Sequence, residues 1–268
     1  MSSVTPVLPE THATRSWSEH QDLHFARSQH VLPLLASELA RTSHQFPAAF
    51  IEQQGQPRLA GVLGLRPGAN LYITENGFWR GEILPLVLRS YPFLLGRSQH
   101  LGRDQRVLCV DHASHAVHDD TTGDHAFVND QGQLTPATQA RLKRLKTVEH
   151  ERLKTQRAVQ ALHEAQLLTP WAIQIETEEG HRPLEGLLKV DETALNRLDD
   201  AAFVALRASG ALTLAYGQLY SMPRLATVQR LHTRHLRDTQ ATAPENLGDH
   251  LDHLFGDNDD DLEFDFGP

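Results

Sequence analysis

Apolar residues along the chain fall into short runs separated by turn formers, with one long stretch of helical periodicity in the middle. Phe46 to Glu52 is an apolar run beginning behind Pro47, Gln53-Gln54-Gly55-Gln56-Pro57 interrupts it, and Leu59 to Leu65 resumes it with small apolar residues. That is the pattern of two strands joined by a turn. Upstream, Leu32, Leu35 and Leu39 lie at helical spacing within Val31 to Ala40. Downstream, Leu71 to Thr74, the turn Glu75-Asn76-Gly77 and Phe78-Trp79-Arg80 predict a hairpin. Pro85 then opens a helical segment through Leu86, Val87, Leu88 and Arg89 that must stop before Pro92, because a residue preceding proline is pushed out of the helical region.

Arg106 to Asp111 predicts a buried strand, Asp111 to Asp124 a polar loop, and Ala126 to Val128 a short apolar run before the turn Asn129 to Gly132. Thr135-Pro136 supplies an N-cap and a first helical residue for the longest helix, whose apolar positions continue to about Leu168. Trp171 to Glu176 alternates as a half-buried strand, turned by Glu178-Glu179-Gly180. Asp191 to Leu198 and Asp199 to Ser209 predict two helices, the second closed by Gly210. Ala211 to Tyr216 is too short for periodicity to choose between strand and buried helix, and Pro223 opens a last helix to about Arg237.

These elements make an α+β chain with an antiparallel β-rich N-terminal half (about 46–130), a helix-rich C-terminal half (about 134–236) and flexible polar ends. No Gly/Ser/Pro linker divides the halves, so one domain over 31–237 is expected. Residues 1–30 read as a peripheral arm, and 238–268 as a linker and an acidic, partly disordered tail.

Composition narrows the partners. With 268 residues, 40% hydrophobic and 22% charged, the chain has the profile of an ordinary soluble protein. Its net charge of −9 argues against binding nucleic acid, which requires counterion release from phosphates by a basic surface. There is no apolar run approaching the ~18 residues of a membrane helix, and Met1 to Trp17 has no secretory pattern, so the expected compartment is the cytoplasm. Cys109 is the single cysteine and sits in a strand-like run as a buried thiol.

The stretch Asn70 to Phe93, preceded by Phe46-Pro47-Ala48-Ala49-Phe50 and Leu63-Gly64-Leu65-Arg66-Pro67-Gly68, resembles the bacterial SapC family, named for an S-layer-associated protein and distinct from the transporter permease of the same name. The similarity continues through Val107 to Asp111, Phe127 to Gly132, Leu162 to Trp171, Gly186 to Leu198 and Ala211 to Met222. It implies a bacterial protein of surface layers or the cell envelope that binds a protein partner, often encoded beside outer-membrane uptake genes. It supplies no catalytic residues to transfer.

Three groups of residues carry candidate chemistry. Arg66, Trp79, Arg89 and Tyr91 could line a ligand pocket, since arginine among apolar residues usually seeks a carboxylate. His112, His115, His118 and Asp120 have the types and spacing of an iron or other divalent transition-metal site, with His163 or His181 as a distant further ligand. This makes a metal-dependent, iron-oxygenase-like enzyme the alternative to a non-catalytic binding or assembly protein needing no cofactor. In a chain with seventeen histidines such clusters also arise by chance, as do the pairs His232/His235 and His250/His253. In the tail, Leu251, Phe255, Phe264 and Phe266 alternate with carboxylates as in a partner-docking segment. Between Arg141 and Arg157 seven Arg or Lys stand against two Glu, a solvated basic face that could also meet an acidic ligand. No Walker loop, dinucleotide-binding glycine motif, nucleophile elbow, H-E-x-x-H or C-x-x-C occurs.

Overall fold

The computed structural model describes residues 3–19, 22–98, 105–177 and 180–242. In chain order its elements begin with β1 (Val4–Pro6), α1 (Pro9–His12), β2 (Ser16–Trp17), β3 (Val31–Pro33), α2 (Ala36–Thr42), β4 (Ala48–Gln53), β5 (Gln56–Val62) and α3 (Leu86–Ser90). They continue with β6 (Phe93–Ser98), β7 (Gln105–Asp111), β8 (Val117–His118), β9 (His125–Ala126) and the long α4 (Pro136–Glu164). The last are β10 (Leu168–Pro170), β11 (Ile173–Thr177), β12 (Gly180–Leu184), β13 (Leu187–Val190), α5 (Glu192–Leu195), α6 (Asp200–Ser209), α7 (Ala211–Ser221) and α8 (Leu225–Thr242). The chain divides into two units, Met1–His232 and Thr233–Pro268. All that follows concerns the first.

The fold is α+β, as expected, with antiparallel pairing throughout. Its main sheet runs β10, β13, β4, β5, β3. The helix-rich half thus inserts β13 beside β4, and the two halves share one sheet. Helix α4 packs on β5 and α7 on β13 and β4, enclosing a core that includes Phe46, Phe50, Leu63, Leu65, Leu162 and Leu214. Where β13 and β4 part, the buried Gln218 of α7 fills the gap: its Oε1 accepts from the Val190 N–H at 3.1 Å and its Nε2 donates to the Ala48 carbonyl at 3.2 Å.

Several boundaries differ from the sequence expectation for identifiable reasons. Val31–Pro33 is a strand on β5 rather than the start of a helix, because Pro33 forces Leu32 to stay extended; the helix begins at Ala36. The 71–80 passage closes as a turn with a single bridge, Ile73 to Trp79, rather than a hairpin of two strands, around Gly77 at φ +76°. Helix α4 ends at Glu164, with Gln166 left-handed, so that Leu168–Pro170 can pair with β13. Ala211 to Tyr216 is helical, opened by Gly210, which at φ +78° also closes α6. Residues 238–242 belong to α8 rather than to a linker.

The largest correction concerns residues 1–30. Instead of a peripheral arm they supply β1, which pairs with β7, and β2, which lies between β8 and β9. Trp17, His12 and Ala26 are buried. These strands are two or three residues long, too short to carry a period, and their partners lie about a hundred positions away. A second core forms around them from Trp17, Phe93, Leu108, Val110, Phe127, Val128 and Leu145.

Candidate functional site

Ser16, Trp17, Ser18 and Glu19 reach the site because the His/Asp-rich loop grips them. Ser16 Oγ donates to the Asp120 carbonyl at 2.6 Å and accepts from the Gly123 N–H at 2.8 Å; the Ser18 N–H donates to the Ala116 carbonyl at 2.9 Å. Gly123 approaches so closely that a Cβ there would lie 2.6 Å from the His118 ring and 2.8 Å from Ser16 Oγ. Trp17 then inserts edge-on against Phe93 at 5.0 Å and donates its Nε1–H to Thr138 Oγ1 at 3.1 Å. Thr138 is in the first turn of α4, whose N-cap Thr135 also donates to the Ala126 carbonyl at 2.7 Å. Three residues beyond Thr138, one turn on, Arg141 lies with its guanidinium carbon 4.9 Å from the centroid of the Trp17 ring, a cation–π contact.

A cleft of about 230 Å³ opens there, lined by Trp17, Ser18 and Glu19, by Arg141 and Arg144 of α4, and by Leu84, Leu88, Arg89, Tyr91, Pro92 and Phe93 around α3. Leu23 completes its wall. The cleft lies where the two cores meet, Trp17 and Phe93 coming from one and Leu23 and Leu88 from the other. Arg141 is paired with the Glu19 carboxylate. Arg89 donates to the Leu84 carbonyl at 3.1 Å and lends its charge to the buried Glu38. Glu38 accepts from the Leu86 N–H at 2.7 Å and the Leu35 N–H at 3.2 Å, holding the starts of α3 and α2 together. Burial raises its pKa against those hydrogen bonds and Arg89. Tyr91 stacks on Phe25 at 3.8 Å and donates to Asp111 Oδ2 at 3.2 Å; burial first, then the Asp111 charge, raises its phenol.

Of the four expected pocket residues, Arg89 and Tyr91 line this cleft and Arg66 and Trp79 do not. Arg66 is exposed beyond β5. Trp79 is half-buried against Tyr72 at 5.5 Å and Phe46 at 6.2 Å, with its Nε1–H on the Ile83 carbonyl at 3.0 Å, so it is a packing residue. Trp17, Glu19, Arg141 and Arg144 were not singled out from the sequence. The signals present were a lone tryptophan in a polar stretch and two arginines at i, i+3 in the basic run.

The expected metal residues are held apart by other partners. His112 Nε2 bonds Thr5 Oγ1 at 3.0 Å, its Nδ1 accepts from Arg15 at 3.2 Å, and burial and then Arg15 depress its pKa. His115 is exposed, His118 Nε2 bonds Ser18 Oγ at 3.0 Å, and the Asp120 carboxylate accepts from Thr122. Among the described residues no three His, Cys, Asp or Glu side chains are gathered to hold an ion. His163 and His181 join no such group. Ser18 and His118 resemble a nucleophile and its base, but no carboxylate among the described residues bonds the other nitrogen of His118, so the orienting group of such a pair is missing. Leu251, Phe255, Phe264, Phe266 and the pair His250/His253 lie outside the described residues. No helix among the described residues is long and apolar enough to cross a membrane.

A protein-family model described as SapC matches residues 8–228 of the chain. No curated protein and no solved structure matches it.

Proposed function

Because the chain belongs to the SapC family, we propose that it is a non-catalytic binding or assembly protein that handles a bacterial surface-layer or envelope component, and that the cleft between β2, α3 and α4 is its ligand seat. One observation carries this: three guanidinium groups, Arg89, Arg141 and Arg144, converge with aromatic and aliphatic walls in a cavity whose only lining carboxylate, Glu19, is already engaged by Arg141. Such a set recognises and holds; it contains no free acid or base to turn a substrate over. The tail residues Leu251, Phe255, Phe264 and Phe266 are a proposed second contact with the protein partner, steered by their carboxylates.

The test compares immobilised wild type with an Arg141→Gln/Arg144→Gln double variant in envelope and surface-layer extracts. A component retained by the wild type and lost by a variant of unchanged melting temperature is the expected result. Equal retention by both overturns the cleft as the seat. Metal-dependent turnover abolished by His118→Ala would replace binding by the iron-dependent alternative.

A further inference from the structure

The arginines of the cleft are unequally occupied. The Arg141 side chain, only 14% exposed, is fixed over Trp17 and paired with Glu19, whose own side chain is 63% exposed. The Glu19 main chain is anchored, its N–H donating to Asp124 Oδ2 at 3.2 Å. Its carboxylate can therefore swing into solvent at small cost, whereas Arg141 left without an anion would be a nearly buried, uncompensated charge. Arg144, three residues further along the same face of α4, has no hydrogen-bond or ion-pair partner among the described residues. Two adjacent guanidinium forks match the planar, two-oxygen geometry of a carboxylate. The remaining wall, Leu23, Leu84, Leu88, Pro92 and Phe93, is apolar, and about 230 Å³ is below the roughly 300–1,000 Å³ of drug-sized sites, so it suits one small side chain or ring rather than a whole cofactor.

We propose that the cleft takes the carboxylate of an apolar or aromatic acid, its hydrophobic body against Phe93 and the leucines, and that Glu19 is an internal surrogate for that carboxylate which the ligand displaces. This rests on the cleft being a ligand seat and names the chemistry it selects. A free aromatic acid and the C-terminal residue of a polypeptide present the same group.

Isothermal titration of the full-length protein with N-acetyl-L-phenylalanine, its amide, a hexapeptide ending in phenylalanine and inorganic phosphate tests it. The acid is expected to bind about tenfold or more tightly than the amide, since the amide leaves the arginine charges unpaired. Glu19→Gln, which keeps the size and removes the competing charge, is expected to strengthen acid binding roughly three- to tenfold, and the exposed Arg144→Gln to weaken it by a similar factor. A peptide that binds tighter than the free acid identifies a polypeptide end as the source; a free acid that binds tighter identifies the small molecule. An amide equal to the acid, phosphate equal to the acid, or an unchanged affinity in Glu19→Gln overturns the proposal. So does silence of every probe with both wild type and Glu19→Gln; a component captured from envelope extracts by the wild type alone would then still stand for the cleft as a seat for other chemistry.

Discussion

Replacing Trp17 separates a core residue from the arm that the first thirty residues resemble in sequence. Its side chain is 2% exposed, edge-on to Phe93 and beneath Arg141, and its indole N–H is satisfied by Thr138. Truncation to alanine removes a fully buried ring and leaves a void that a sheet of two-residue strands can only partly close, a loss of about 3–5 kcal/mol. The Thr138 hydroxyl keeps the Ala126 carbonyl and Thr135 as partners, so the lost indole hydrogen bond adds little. Loss of the cation–π contact adds roughly 0.5–2 kcal/mol at the partly buried Arg141. Trp17→Phe retains most of the apolar area and should cost about 1–2 kcal/mol. Urea unfolding followed by far-ultraviolet circular dichroism gives both values from the shift of midpoint at constant slope, without relying on the fluorescence of the residue removed. Alanine within about 0.5 kcal/mol of wild type, or a deletion of residues 1–18 that melts like the intact chain, would refute the placement of this segment in the core.

Gln218→Leu should lose about 2–4 kcal/mol in the same assay, because the Val190 N–H and the Ala48 carbonyl each lose a buried partner; no change would mean that β13 and β4 pair directly there. Gly123→Ala places a Cβ 2.6 Å from the His118 ring and should cost roughly 1–3 kcal/mol while moving Glu19 and weakening ligand binding. His12, buried beside His112 and Arg15, has its pKa lowered to about 4 by burial first and by those two groups after. Its neutral form is the one the fold accepts, so its stabilisation is complete above pH 6.5 and is lost as pH falls from there towards 4. The loss amounts to roughly 2–3 kcal/mol, to which the depressed His112 adds in the same direction. His12→Phe should flatten that limb of the stability curve, and an equally steep limb in the variant would contradict the assignment. Dialysis against a chelator should leave the melting temperature unmoved, since His112, His115, His118 and Asp120 do not converge; stoichiometric iron or another divalent metal in untagged protein would count against this.

The local grammar of the chain was legible wherever an element could be specified by its own residues. Thr135-Pro136 capped α4, Asp199 and Gly210 bounded α6, Pro85 and Pro92 framed α3, and the apolar runs on either side of Gln53-Gln54-Gly55-Gln56-Pro57 paired as β4 and β5. Arg89 and Tyr91 were legible as ligand candidates for the same reason: polar groups set in an apolar passage. Position in space decided the remainder. Strands of two or three residues, β1, β2, β8 and β9, have no period to read, and each exists only because a partner far along the chain completes its hydrogen bonds. The His/Asp loop shows metal-like spacing in sequence, yet its side chains and carbonyls are spent on Ser16, Ser18, Thr5 and Arg15 of the N-terminal segment. The same long-range pairing brings Trp17 and Glu19 under Arg141 across more than a hundred residues. A sequence fixes local torsions and faces; which charge meets which ring is set by the non-local packing that closes the two cores against each other.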